Sequence, residues 1–136
     1  QISEMSGDHT MVKDNELDNI IEVDAISIDE YFKDISSSIS FVIFTIEGAE
    51  LKALKGMRET IKKSNGLTIM TEFYPEKIRS LGDSPEEFLE LLTNFGFEIY
   101  NLEDGLSPIH KTDSETLIAN MNKDKQYRRD LLCKLK

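Results

Sequence analysis

Apolar residues recur along this chain in two rhythms, and their alternation predicts its elements. Residues 1–19 show neither rhythm and read as a polar arm, with at most a short strand at 10–12. Residues 20–28 put Ile21, Val23, Ala25 and Ser27 on one side and Ile26 and Ile28 on the other, which predicts a short strand. Asp29 then opens a turn or short helix that closes at the serines 36–38. Residues 41–46, FVIFTI, form an unbroken aromatic and β-branched run, the pattern of a strand covered on both faces. Leu51, Leu54, Met57 and Ile61 follow at helical spacing. Gly56 lies inside that stripe and costs about 1 kcal/mol relative to alanine, so a kink or a break into two helices is expected there.

The pattern then repeats. Residues 62–66, KKSNG, stop the helix, and residues 67–73, LTIMTEF, make a second strand. Ser84-Pro85-Glu86-Glu87 starts a helix: Ser84 caps, Pro85 suits the first turn and Glu87 completes a capping box. Phe88, Leu91, Leu92 and Phe95 are its buried stripe, and Gly96 supplies a left-handed exit. Residues 97–102 are a third strand, 114–121 a short helix and 130–135 a last strand. Strands alternating with helices predict one α/β domain over residues 20–136, with parallel core strands behind the 1–19 arm.

Charge narrows the function classes. Sixteen Lys and Arg against twenty-six Asp and Glu leave a net charge of −10, which disfavours nucleic acid and anionic membrane surfaces as partners. No apolar run approaches the roughly 20 residues of a membrane-spanning helix. The N-terminal stretch is too polar and acidic for a signal peptide, so a cytoplasmic location is expected. Gln1 in place of an initiator Met fits a fragment, a processed product or an excised domain.

In an open parallel sheet, ligands sit beyond the carboxyl ends of the strands. That rule selects Thr45, Glu47 and Gly48 on the first core strand, Glu72, Tyr74 and Glu76 on the second, and Asn101, Glu103 and Asp104 on the third. Glu47 and Glu72 are the sharpest pair. A desolvated carboxylate beside a like charge holds its proton more tightly and can take one from a hydroxyl. Equally, Glu47 can favour the start of the following helix while Glu72 stays solvated. Glu50 complements the helix dipole or lines the pocket, and the dipole reading is preferred. Gly48 permits a tight strand-to-helix turn. His9 and His110 have no ligand spacing, so no metal site is expected, and Cys133 reads as a core filler. Neither a glycine-rich phosphate loop nor a nucleophile elbow is present.

These residues resemble the FkbM family of S-adenosylmethionine-dependent methyltransferases. Ile28-Asp29, then Ile46-Glu47-Gly48-Ala49-Glu50, then Leu54-Lys55-Gly56 match three of its motifs in order, and Ile69-Met70-Thr71-Glu72-Phe73 matches a later strand closing on Glu. The likeness spans roughly residues 23–104. Two positions depart from it: Thr45 stands where the family has aspartate, and Phe44 or a neighbour where it has lysine. The resemblance implies a partial Rossmann-like class I methyltransferase sheet, mostly parallel with the last strand antiparallel. It would be the C-terminal half of that fold, its strands ordered four, five, seven, six.

The cofactor loop of such enzymes would then lie upstream of this chain, so little S-adenosylmethionine affinity and little activity are expected of these residues alone. The bare apolar edge of strand 41–46 would be covered by residues 20–28, by a second copy or by the preceding half. The implied reaction is methyl transfer to a hydroxyl of a sugar, lipid or secondary metabolite, with Glu47 and Glu72 catalytic and Thr45 and Tyr74 binding the small-molecule or glycan acceptor. Two other readings stand beside it: a non-catalytic interaction or regulatory module on the same fold, and a hydrolase holding a divalent metal at Glu47 and Glu72.

Overall fold

A computed structural model describes residues 23–102, 109–124 and 128–136. Six helices and five strands are present among them: α1 (Ile28–Tyr31), β1 (Phe41–Phe44), α2 (Glu50–Lys55), α3 (Arg58–Lys63), β2 (Thr68–Phe73), α4 (Pro75–Ser80), α5 (Pro85–Asn94), β3 (Phe97–Leu102), β4 (His110–Thr112), α6 (Ser114–Asp124) and β5 (Arg129–Leu135). The fold is α/β, with one open five-stranded sheet in the order β1-β2-β5-β3-β4.

Three strands run in one direction. β1 pairs parallel with β2, and β2 and β3 each pair antiparallel with β5, which is inserted between them. The last strand is therefore antiparallel, as expected, and the strands anticipated at 41–46, 67–73, 97–102 and 130–135 take the expected spatial order. The expectation of a mostly parallel sheet needs correction. One of the four pairings is parallel, because β5 separates β2 from β3 and a short added strand, β4, closes antiparallel on β3.

Burial alternates strictly along the central strands. Ile69, Thr71 and Phe73 of β2, Leu131 and Cys133 of β5 and Phe97 and Ile99 of β3 face the core. Leu51, Leu54, Phe88, Leu89 and Leu92 meet them from the helices, and Phe73 stacks on Phe88 with ring centroids 6.0 Å apart. Period-two burial of this kind marks a sheet with one packed face. The strand at 41–46 differs accordingly from its prediction: it ends at Phe44, and only one face is covered among the described residues. Phe44 is 3% exposed, whereas Phe41 and Ile43 are 50% and 57% exposed on the other face. Among the described residues β1 is also the outermost strand, so its outer edge lies beside that apolar face.

The expected strand at 20–28 is the second correction. Residues 20–22 fall outside the described residues, 23–27 have no regular structure, and Val23 is 76% exposed. Among the described residues no strand offers this stretch a hydrogen-bond ladder. The chain instead coils into α1, where the Ser27 hydroxyl accepts from the Glu30 amide at 3.0 Å. The suggested strand at 10–12 lies outside the described residues.

Gly56 acts as anticipated: it ends α2, and α3 begins two residues later. Ser84 caps α5 by accepting from the Glu87 amide at 3.1 Å. The Glu87 carboxylate pairs with Lys55 at 2.6 Å, in place of the reciprocal bond of a full capping box. Gly96 takes the left-handed exit, at φ 93°.

Candidate active site

β1 and β2 run in the same direction, so their carboxyl ends open on one edge of the sheet. At the end of β1 the backbone must reverse into α2 within five residues. Glu47 and Gly48 do this with φ values of 43° and 101°, and the Ala49 amide closes the turn on the Ile46 carbonyl at 3.2 Å. Such a left-handed conformation strains Glu47 and suits Gly48. Gly48 has a second constraint: a Cβ built on it would lie 2.5 Å from the Lys77 carbonyl oxygen. The turn after β1 is thus pressed against α4, the helix that follows β2. A missing side chain at residue 48 lets the two strand ends meet.

This contact gathers the side chains. The Lys77 ammonium lies 3.6 Å from Glu47 Oε2 and 5.9 Å from the centroid of the Tyr74 ring. Glu47 and Tyr74, chosen separately from the sequence, therefore share one cation. Glu72, next to last in β2, accepts from the Arg128 guanidinium at 3.4 Å. Both glutamates are half-exposed. Thr45 is exposed just beyond β1, and Glu76 pairs with Arg79 on the outside of α4. Asn101 is buried near the end of β3, and Glu103 and Asp104 lie outside the described residues.

The deeply enclosed carboxylate of this edge belongs to Glu50. It is 0% exposed at the start of α2, and among the described residues no side chain donates to its carboxylate; the groups nearest to doing so are the backbone amides of Gly48 and of Glu50 itself. Burial pushes its proton affinity up. The Gly48 and Glu50 backbone amides oppose this, and the charges of Glu72 and Glu47 add to the rise. The desolvation expected of Glu47 and Glu72 thus falls on a neighbour whose carboxyl feels both of their charges. Its sequence signal is the second Glu of Glu47-Gly48-Ala49-Glu50, which sequence reasoning assigns to the helix dipole. A further acidic residue, Asp130 of β5, stands directly opposite Glu72 in the ladder, and its Oδ1 is buried without a partner. Residue type and spacing alone did not single it out.

The remaining candidates sit elsewhere. His110 is in β4, in register with Asn101, and His9 lies outside the described residues. No group of three or more His, Cys, Asp and Glu is arranged to hold a metal ion among the described residues. Cys133 is buried in the core, and burial pushes its thiol up to about 12. No helix among the described residues is long and apolar enough to cross a membrane.

The geometry also ties together the motifs from which the resemblance was drawn. The Asp29 amide donates to the Gly56 carbonyl at 2.8 Å, so the first motif is bonded to the third. The second supplies Glu47, Gly48 and Glu50, and the fourth ends on Glu72. A family model described as "Methyltransferase FkbM domain" matches residues 2–99. This chain belongs to the FkbM methyltransferase family. The match takes in all four motifs and also covers residues 2–22, upstream of them. Membership implies a methyl donor of the S-adenosylmethionine type. No curated protein and no solved structure matches the chain significantly.

Proposed function

We propose that this protein methylates a hydroxyl oxygen of a small-molecule or glycan acceptor, using S-adenosylmethionine. The observation that carries this reading is the convergence of Glu47, Glu50 and Glu72 on one sheet edge, inside the stretch that matches the family. The underlying sheet then corresponds to part of a Rossmann-like methyltransferase sheet, which the strand order supports.

The residues present fit the charged end of the cofactor. A buried carboxylate that no side chain among the described residues neutralises, with the charges of Glu47 and Glu72 acting on it, complements a positive sulfonium. Glu47 and Glu72, half-exposed on that edge, are the side chains that would face it. When bound, S-adenosylmethionine supplies a methyl group already activated on sulfur. The described residues contain no glycine-rich loop for its adenosine end.

The chain's own work is alignment and proton removal. Thr45 and Tyr74 hold the acceptor by hydrogen bonds, and a carboxylate at Glu47 or Glu72 takes the proton of the hydroxyl being methylated. Lys77 and Arg128 keep these two carboxylates oriented. A second reading, a non-catalytic module of the same fold, is favoured by Thr45 at the position where the family motif carries aspartate.

The test is transfer of labelled methyl from S-adenosylmethionine to sugars and polyols by the complete gene product. Glu47→Gln and Glu72→Gln should each lower kcat by about 100-fold or more with little change in cofactor affinity. Undiminished turnover in both variants would remove the role assigned to these residues, and absence of any transfer would favour the second reading.

A further inference from the structure

The bend between α3 and β2 holds the one Asn-Gly pair of the chain, Asn65-Gly66. Both residues are exposed, and both neighbours are anchored. Ser64 is buried, and its hydroxyl donates to the Thr60 carbonyl at 2.8 Å and accepts from the Ile39 amide at 3.3 Å. Leu67 is fully buried, and its carbonyl accepts from the Leu135 amide at 2.8 Å. Between these anchors Gly66 takes a φ of 68°, and a Cβ built on it would meet nothing within 4 Å. Among the described residues no hydrogen bond engages the Asn65 side chain or the Gly66 amide. An amide side chain tethered beside an unhindered, unbonded backbone nitrogen is set for ring closure. The other six asparagines precede Glu, Ile, Phe, Leu, Met or Lys, whose side chains hinder the same attack.

We propose that Asn65-Gly66 is a deamidation site of the folded protein, where each molecule acquires a chemical mark of its age. The Gly66 nitrogen attacks Asn65 Cγ, and a bond forms between them. The bond from Cγ to the side-chain nitrogen breaks, and that nitrogen leaves as ammonia with the proton the Gly66 amide gave up. Water then opens the cyclic imide. Opening at Cγ gives aspartate; opening at the main-chain carbonyl gives isoaspartate, whose backbone runs through the side chain and is one methylene longer. Either product adds a negative charge to a chain already at −10. The longer backbone does not fit between Ser64 and Leu67 without moving one of these anchors, so isoaspartate weakens the start of β2. Glu72 and Tyr74 lie at the other end of that strand, away from the change.

The experiment ages the complete gene product at pH 6 and at pH 8, native and in urea, and follows its tryptic peptides by mass spectrometry. Electron-transfer fragmentation separates isoaspartate from aspartate. In the native protein the peptide holding Asn65 should gain the mass of amide-to-acid conversion about tenfold or more faster than the peptide holding Asn94 and Asn101. The gain should be faster at pH 8, because the attacking nitrogen must lose its proton. Its native rate should lie within about tenfold of its rate in urea, and aged protein should melt a few degrees below fresh protein. Asn65→Gln, which cannot close the same ring, should abolish both the mass gain and the fall in melting temperature. A native rate more than about tenfold below the rate in urea means that the folded bend protects Asn65, and overturns the proposal. A native rate no greater than that of Asn94 and Asn101 overturns it equally.

Discussion

Asp29 Oδ1 accepts two hydrogen bonds from Thr60, one from its amide and one from its hydroxyl, each at 2.8 Å. Oδ2 accepts from the Glu59 amide at 3.1 Å. Asp29 thereby caps α3 from thirty residues away, because Met57 at the N-cap has no side-chain oxygen to do so. Asp29→Ala should destabilise the fold by about 1–2 kcal/mol, measured by urea unfolding at pH 7. Burial pushes the Asp29 carboxyl up, but the bonds from Thr60 and Glu59, with Lys63 nearby, hold it below its ordinary 3.8. The stabilisation is therefore complete above pH 3.8 and lost as pH falls through the lower folded value. The gap between wild type and variant should narrow in strong acid; a gap independent of pH would count against the cap.

Glu50 shows the opposite linkage. Its folded pKa is raised from 4.5, chiefly by burial, so the unfolded chain releases this proton before the folded one does. Stability from this group is full below pH 4.5 and declines as pH rises through 4.5 to the folded value. Glu50→Gln removes the charge and should stabilise the apo protein by about 1 kcal/mol at pH 7, with a smaller gain at pH 4. Thermal melts at the two pH values check this. A loss of stability at pH 7 would mean that Glu50 has a partner in solution.

Gly48 and Gly82 both have positive φ, at 101° and 79°, but differ in space. A Cβ at 48 meets the Lys77 carbonyl at 2.5 Å, and one at 82 meets nothing within 4 Å. Gly82→Ala should cost about 1 kcal/mol, the backbone penalty alone. Gly48→Ala adds a clash with backbone and should cost about 3 kcal/mol or more. Parallel denaturation curves would show it, and equal costs would mean that α4 gives way.

Neighbouring residues of β1 should respond in opposite ways. Phe44→Ala removes a 3% exposed ring and should cost about 3–5 kcal/mol. Ile43, 57% exposed on the outermost strand, should tolerate lysine within about 0.5 kcal/mol. We expect the wild type to self-associate through this apolar edge and Ile43→Lys to suppress it, as read by sedimentation. A wild type that stays monomeric at high concentration would contradict that role.

The contrast between these two residues also shows what could be read in advance. Phe41, Val42, Ile43 and Phe44 announce a strand by composition, but composition does not state whether one face or two will be covered. That depends on which chain segments lie against the sheet. The helix start at Ser84, the break at Gly56 and the exit at Gly96 were legible because each rests on local backbone chemistry. β4, three residues without an apolar rhythm, exists through pairing with β3 and had no signal of its own. The site was partly legible for a similar reason. Strand ends locate Glu47 and Glu72 at the edge, yet which glutamate of Glu47-Gly48-Ala49-Glu50 turns inward is decided by a turn whose angles only the fold supplies. Asp130 joins them through strand order, which no local pattern contains.

The most direct measurement is hydrogen–deuterium exchange of the complete gene product with and without S-adenosylhomocysteine. If the carboxylate-lined edge is the ligand site, protection should rise in peptides covering residues 45–50 and 72–77. It should stay unchanged in the shallow depression bordered by Asp29, Phe32, Thr60 and Lys63. Ligand bound with no protection in either peptide would contradict the account.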